Sequence, residues 1–163
     1  MRTTTTLVFA LTLAACGGSE KNGDTAAAGG DFADEVAAVE DAIAGYESWA
    51  QPAPGIVASG NGHPAFVQNW ANTVAVDAID AGGGGDMPDG AILVKQGYND
   101  EAGTDLGNLT VMWKTEGDWF WVAFNPGGSA VVSGYTADVQ GPCVGCHEAN
   151  AEQQDLVITY APW

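Results

Sequence analysis

Near the C-terminus, Cys143-Val144-Gly145-Cys146-His147 sets two thiols three residues apart and an imidazole beside the second. Thiols in this spacing can add to the vinyl groups of a haem as thioethers, and the adjacent imidazole can ligate the iron from one side. One turn of helix presents all three groups to a single porphyrin. The pattern therefore points to one covalent haem c, held by Cys143 and Cys146, with His147 as the metal ligand. A thioredoxin-like redox pair, half of a zinc site and a structural disulfide are the competing chemistries. A redox pair normally follows an early strand in a β-α-β pattern, whereas this one lies late. A mononuclear zinc site needs further ligands, and the one other histidine is His63.

Sixteen residues follow His147, none of them Met or His. The downstream methionine of small electron-transfer cytochromes is thus missing, so a sixth ligand has to come from upstream, with His63, Met87 and Met112 as candidates. If none reaches the iron, the distal side is open to a small molecule such as nitric oxide. His63 lies in the turn-like Gly62-His63-Pro64, a context that suits a structural role. Lys95 also stands out, inside the largely apolar run from Ala91 to Tyr98. Strand alternation gives it the face of Ala91 and Leu93, which points its stem inward if that face is the core one. A lysine snorkelling from a strand end is the alternative.

The elements that must carry these groups read as α+β, mainly antiparallel sheet with an N-terminal amphipathic helix and a C-terminal haem-binding helix. Phe32, Val36, Val39, Ile43 and Tyr46 recur at helical spacing, with Asp31 as a cap and an end before Gln51-Pro52-Ala53-Pro54. Short runs rich in Val, Ile and aromatics predict strands at Thr73 to Ile79, Ala91 to Tyr98, Leu109 to Lys114, Trp119 to Phe124 and Ala130 to Tyr135. Thr115 to Asp118 is a hairpin turn. Alternation puts Trp119, Trp121 and Ala123 on one face of their strand and Phe120, Val122 and Phe124 on the other. Gly82 to Gly85 lacks the Gly-Lys-Ser/Thr and the helix that a phosphate-binding loop requires.

Residues 1–15 form a signal-like segment, a basic start and a short apolar run ending in Leu13-Ala14-Ala15-Cys16. That ending resembles a lipobox, with Cys16 acylated; an ordinary signal cleaved near Ala15 is the alternative. Residues 16–30 read as a flexible tether and 31–163 as one haem domain. The expected address is the cell envelope, lipid-anchored, on the outer membrane facing the periplasm. Membrane contact is expected through the lipid alone. The formal net charge of -17 repels nucleic acid and anionic membrane surfaces. It suits solubility outside the cell, or an acidic face that meets a basic redox partner protein.

From about residue 60 to residue 160 the chain resembles the cytochrome P-460 and cytochrome c-prime-beta family. The resemblance is carried by Met87-Pro-Asp-Gly-Ala-Ile-Leu-Val-Lys95, Leu109-Thr-Val-Met-Trp-Lys114, Gly117-Asp-Trp-Phe-Trp-Val-Ala-Phe124, Gly141-Pro-Cys-Val-Gly-Cys-His147 and Asp155-Leu-Val-Ile-Thr159. It implies a mainly antiparallel β fold, a homodimer and a proximal ligand at His147. In the P-460 branch the lysine at the position of Lys95 is bonded to the porphyrin rim and the haem oxidises hydroxylamine. In the c-prime-beta branch that bond is absent and a five-coordinate haem binds nitric oxide in an apolar pocket. The distal acid or amide that relays protons in the oxidising branch has no counterpart that can be placed residue by residue; Glu101, Glu116 and Asp118 are loop or turn carboxylates. Three readings follow: a cytochrome that binds or oxidises small nitrogen species, a non-catalytic haem lipoprotein that binds nitric oxide or carries electrons, and a haem-free envelope lipoprotein with a disulfide.

Overall fold

The computed structural model describes residues 32–59, 63–81, 85–150 and 155–158. The signal segment, Cys16, the tether, the Asp31 cap and Gly82 to Gly84 lie outside the described residues. Helix α1 (Ala33–Ala42) is followed by β1 (Val57–Ala58), β2 (Phe66–Ala71), α2 (Thr73–Asp80), β3 (Ile92–Tyr98), β4 (Leu106–Thr115), β5 (Asp118–Phe124), β6 (Ala130–Tyr135) and α3 (Gly145–Asn150). The six strands form one antiparallel sheet in sequence order. The expected α+β class, mainly antiparallel, is what the chain adopts.

Both faces of the sheet are packed, because period-two alternation in the long central strands supplies two apolar sides. Trp70, Ile92, Val94, Val111, Phe120, Val122 and Phe124 form one core with Val39 and Ile43 from α1 and the turn after it. The other core joins Ala71, Met112, Trp119 and Trp121 to Ala75 and Ile79 of α2, Met87, Val139, Val144 and Val157. Helix α1 stops earlier than its apolar stripe suggested. Gly45 takes φ +77°, a left-handed conformation that ends the helix, and Tyr46–Ser48 continues as a single 3-10 turn.

The expected strand at Thr73 to Ile79 is a correction: it is α2, and the strand lies just upstream at Phe66–Ala71. Asn72 is the physical reason. Its Oδ1 accepts from the N–H of Ala75 at 3.0 Å and of Ile92 at 3.1 Å, while its Nδ2 donates to the Gly90 carbonyl at 2.7 Å. It therefore caps the helix and staples it to the start of β3, leaving Ala75 and Ile79, one helical turn apart, to be buried. Asn72→Ala removes a cap and two further bonds. We expect a loss of about 2 kcal/mol, read as a lower urea midpoint, with Asn72→Asp losing less because its acceptor remains.

Candidate functional site

The register places equivalent positions of neighbouring strands in rows across the sheet. One row runs Asn69, Lys95, Thr110, Ala123, Val132 and the next runs Ala71, Leu93, Met112, Trp121, Gly134. Members of these rows floor a cavity of about 270 Å³, and its opposite wall carries Cys143, Cys146, His147, Val157 and Ile158. The residues that sequence reasoning selected for chemistry thus meet in one place: Lys95 from the sheet, and two thiols and an imidazole from the C-terminal segment. Met112 and His63 also line this cavity. Met87 does not; its side chain is buried in the core beside α2. Glu101 and Glu116 are exposed, and Asp118 starts β5, where its carboxylate accepts from the Trp119 N–H.

The thiols owe their placement to a wide helical turn, Gln140–Val144, that runs into α3. Both the Cys143 and the Val144 N–H reach back to the Val139 carbonyl at 3.3 Å. Val139 and Val144 are fully buried, so this turn is anchored from beneath while Cys143 and Cys146 remain half-buried. Burial, and secondarily the neighbouring Cys146, pushes the Cys143 thiol up from its ordinary pKa.

His147 is held from two sides. Its Nδ1 lies 2.7 Å from the Leu156 carbonyl oxygen, which can only accept, so Nδ1 carries the hydrogen and Nε2 keeps its lone pair. The Trp121 indole and the imidazole meet in a T-shaped pair at a centroid distance of 4.8 Å and an interplanar angle of 86°. Burial lowers the pKa of His147; the Leu156 bond works against that shift and Lys95 adds to it. A neutral imidazole with a fixed tautomer is the form that ligates a metal. Two thiols and such an imidazole on a largely apolar cavity fit the donor set of a covalent haem.

Lys95 and His63 are the other titratable groups here. Burial lowers Lys95 to about 8, with Cys146 partly offsetting the shift. Burial, then the charges of Lys95 and His147, lowers His63 to about 4. His63 is held at the cavity because the Pro64 ring rests on a notch of two glycines, where a Cβ on Gly97 or Gly107 would come within 2.4 or 2.6 Å of it. Gln96 closes the same notch by donating to both the Gly97 and the Gly107 carbonyl. Sequence reasoning missed Asn69, Asn108 and Thr110 in the lining. Asn69 becomes legible only once β2 is recognised, and the Leu156 carbonyl leaves no side-chain signal at all.

The His63 shift has a consequence for stability. Its pKa in the fold lies below the unfolded value of 6.5, so between pH 6.5 and about 4 the unfolded chain holds a proton that the native one excludes. Stability from this group is therefore lost as pH falls through that window. We expect the stability of the parent, relative to His63→Gln, to decline from pH 6.5 to 4 in urea titrations; parallel profiles would refute the assignment.

A search of curated proteins finds no significant match. The family model described as Cytochrome P460 matches residues 43–159. That span takes in the six described strands, both thiols, His147 and every described residue lining the cavity, so the chain belongs to the cytochrome P460 family.

Proposed function

We propose that this chain is an exported, lipid-anchored mono-haem c-type cytochrome whose iron binds small nitrogen species, nitric oxide and hydroxylamine being the chemical class. Membership of the family implies a haem cofactor. The observation that carries the reading is the convergence of Cys143, Cys146 and His147 on one cavity that Lys95 enters from the sheet. Cys143 and Cys146 would form the two thioethers, His147 would be the proximal ligand, and Lys95 would be the attachment point at the porphyrin rim. The haem, when bound, supplies an iron that bonds a small ligand and exchanges electrons.

The chain's own residues then have defined tasks. Leu156 and Trp121 fix the ring plane and tautomer of His147. Leu93, Met112, Ala123 and Val132 keep water from the cavity. His63, kept neutral at pH 7 by its burial, can offer a ring nitrogen to a hydrogen bond. Cys16 would carry the lipid, placing the domain at the outer membrane facing the periplasm. The acidic surface would meet a basic electron-accepting protein, and two copies would form the homodimer. A second reading, ligand binding or electron transfer without turnover, is favoured by one observation: beside Lys95, His147 and the two thiols, the polar side chains in the described lining are His63, Asn69, Asn108 and Thr110, with no carboxylate among them. Such a lining is poor in the proton acceptors that hydroxylamine oxidation needs.

Protein matured in a host that assembles c-type cytochromes tests this. A haem-stained band on a denaturing gel, with a Soret band that shifts on adding nitric oxide, is expected. Colourless protein with a Cys143–Cys146 disulfide would overturn the proposal. A haem peptide joined to the peptide of Lys95, with hydroxylamine-dependent reduction of an electron acceptor, separates the oxidising reading from the binding one.

A further inference from the structure

Lys114 is the least expected residue beside the core that holds Trp119 and Trp121. It sits on the Trp119 side of the sheet, paired with Trp119 across β4 and β5, and is only 5% exposed. Its Nζ lies 2.7 Å from Asp155 Oδ2 and 5.3 Å from the centre of the Trp119 ring. The same carboxylate oxygen accepts from the Met87 N–H at 3.0 Å, and the Asp155 carbonyl accepts from Trp119 Nε1 at 2.8 Å. Three elements distant in sequence thus grip a single residue. That residue and the next have φ +38° and +66°, left-handed values that non-glycine residues adopt at a cost of about 1 kcal/mol or more each. A buried ion pair is a poor source of net stability, because desolvation offsets the attraction. Here its visible result is geometric. The strained turn aims the Leu156 carbonyl at His147 Nδ1, 2.7 Å away.

We propose that the Lys114–Asp155 ion pair is a positioning device for the proximal imidazole: it holds the Asp155-Leu156 turn in its left-handed conformation so that the Leu156 carbonyl keeps its bond from His147 Nδ1. The inference rests on His147 being the iron ligand. A strong bond from Nδ1–H to an oxygen makes the imidazole a better donor, which stabilises the ferric over the ferrous state; outer-shell partners of metal-bound histidines act in this way. Neither Lys114 nor Asp155 lines the cavity, so both act through the backbone of the residue that follows Asp155.

Lys114→Met is the principal variant, since Met preserves the packing of the stem on Trp119. In haem-loaded protein we expect the iron–imidazole stretching band of the reduced state to move to lower frequency. We also expect the ferric/ferrous equilibrium to shift about tenfold toward ferrous, roughly 59 mV for one electron. Lys114→Arg should restore both readouts, because it retains the cation. If Lys114→Met does not accumulate haem, Asp155→Asn is read against the same criteria; it removes the charge while leaving an acceptor for the Met87 N–H. A lowered melting temperature with an unmoved band and potential would make the pair merely structural and overturn the proposal. Absence of covalent haem in the parent itself would instead defeat the cytochrome reading, so the two failures are distinguishable.

Discussion

Replacing Cys143 and Cys146 together by alanine is expected to abolish covalent haem: no stained band on a denaturing gel, and an intact mass short of the parent by one haem. Both thiols open on the cavity from the turn and helix that carry His147, and the turn is anchored by Val139 and Val144 in the core. Alanine leaves Val139 and Val144 in place and trims only two half-buried thiols, so the fold should persist while the two bonding atoms disappear. Each single replacement should retain a band, since one thioether still resists denaturation. Without the thioethers that would seat the haem against Lys95 the rim bond should not form either, and the His147 bond that remains is broken by denaturation. Stability should fall as well, because the His147 bond and the haem's contacts with the cavity, which exist in the native state alone, are lost with the haem. A full-strength band from the double variant would place the covalent bond elsewhere, on Lys95, and sink the assignment of the thiols.

The parts of this site that could be read from sequence are those with a local signature. Cys143, Cys146 and His147 are contiguous, and Lys95 is a charge in an apolar alternating run, so its face follows from parity alone. The same parity separates Trp121, which packs against His147, from Phe120 and Phe124, which pack toward α1. Segment 73–79 defied this logic because Thr73, Val74 and Val76 favour strands, while its helical state is decided by Asn72 and by the burial of Ala75 and Ile79. Reading that segment as a strand hides Phe66–Ala71, and with it the contribution of Asn69 to the cavity. The grip on Asp155 was illegible for a different reason. Its partners come from Met87, Lys114 and Trp119, between 36 and 68 positions away, and no local pattern encodes such convergence. Trp119 is where this long-range grip and the core coincide.

Trp119→Ala should therefore be the most destabilising substitution in the sheet. The indole is 1% exposed, among the largest fully buried side chains, and its removal leaves a cavity under α2 and the C-terminal segment. Loss of so large a buried ring costs about 4 kcal/mol, and stranding the Asp155 carbonyl adds about 1 kcal/mol. For a domain of this size each kcal/mol lowers Tm by several degrees, so the variant should melt roughly 15 °C below the parent. Trp119→Phe separates the two contributions. It keeps most of the ring volume but not the N–H, and should lose about 1–2 kcal/mol. The variants also differ in what they do to the grip: Phe still provides a ring face beside the Lys114 ammonium, whereas Ala removes both that face and the anchor on Asp155. If urea unfolding finds Trp119→Ala within 1 kcal/mol of the parent, the core under α2 does not depend on this residue. β5 would then not support the C-terminal wall of the cavity through Trp119.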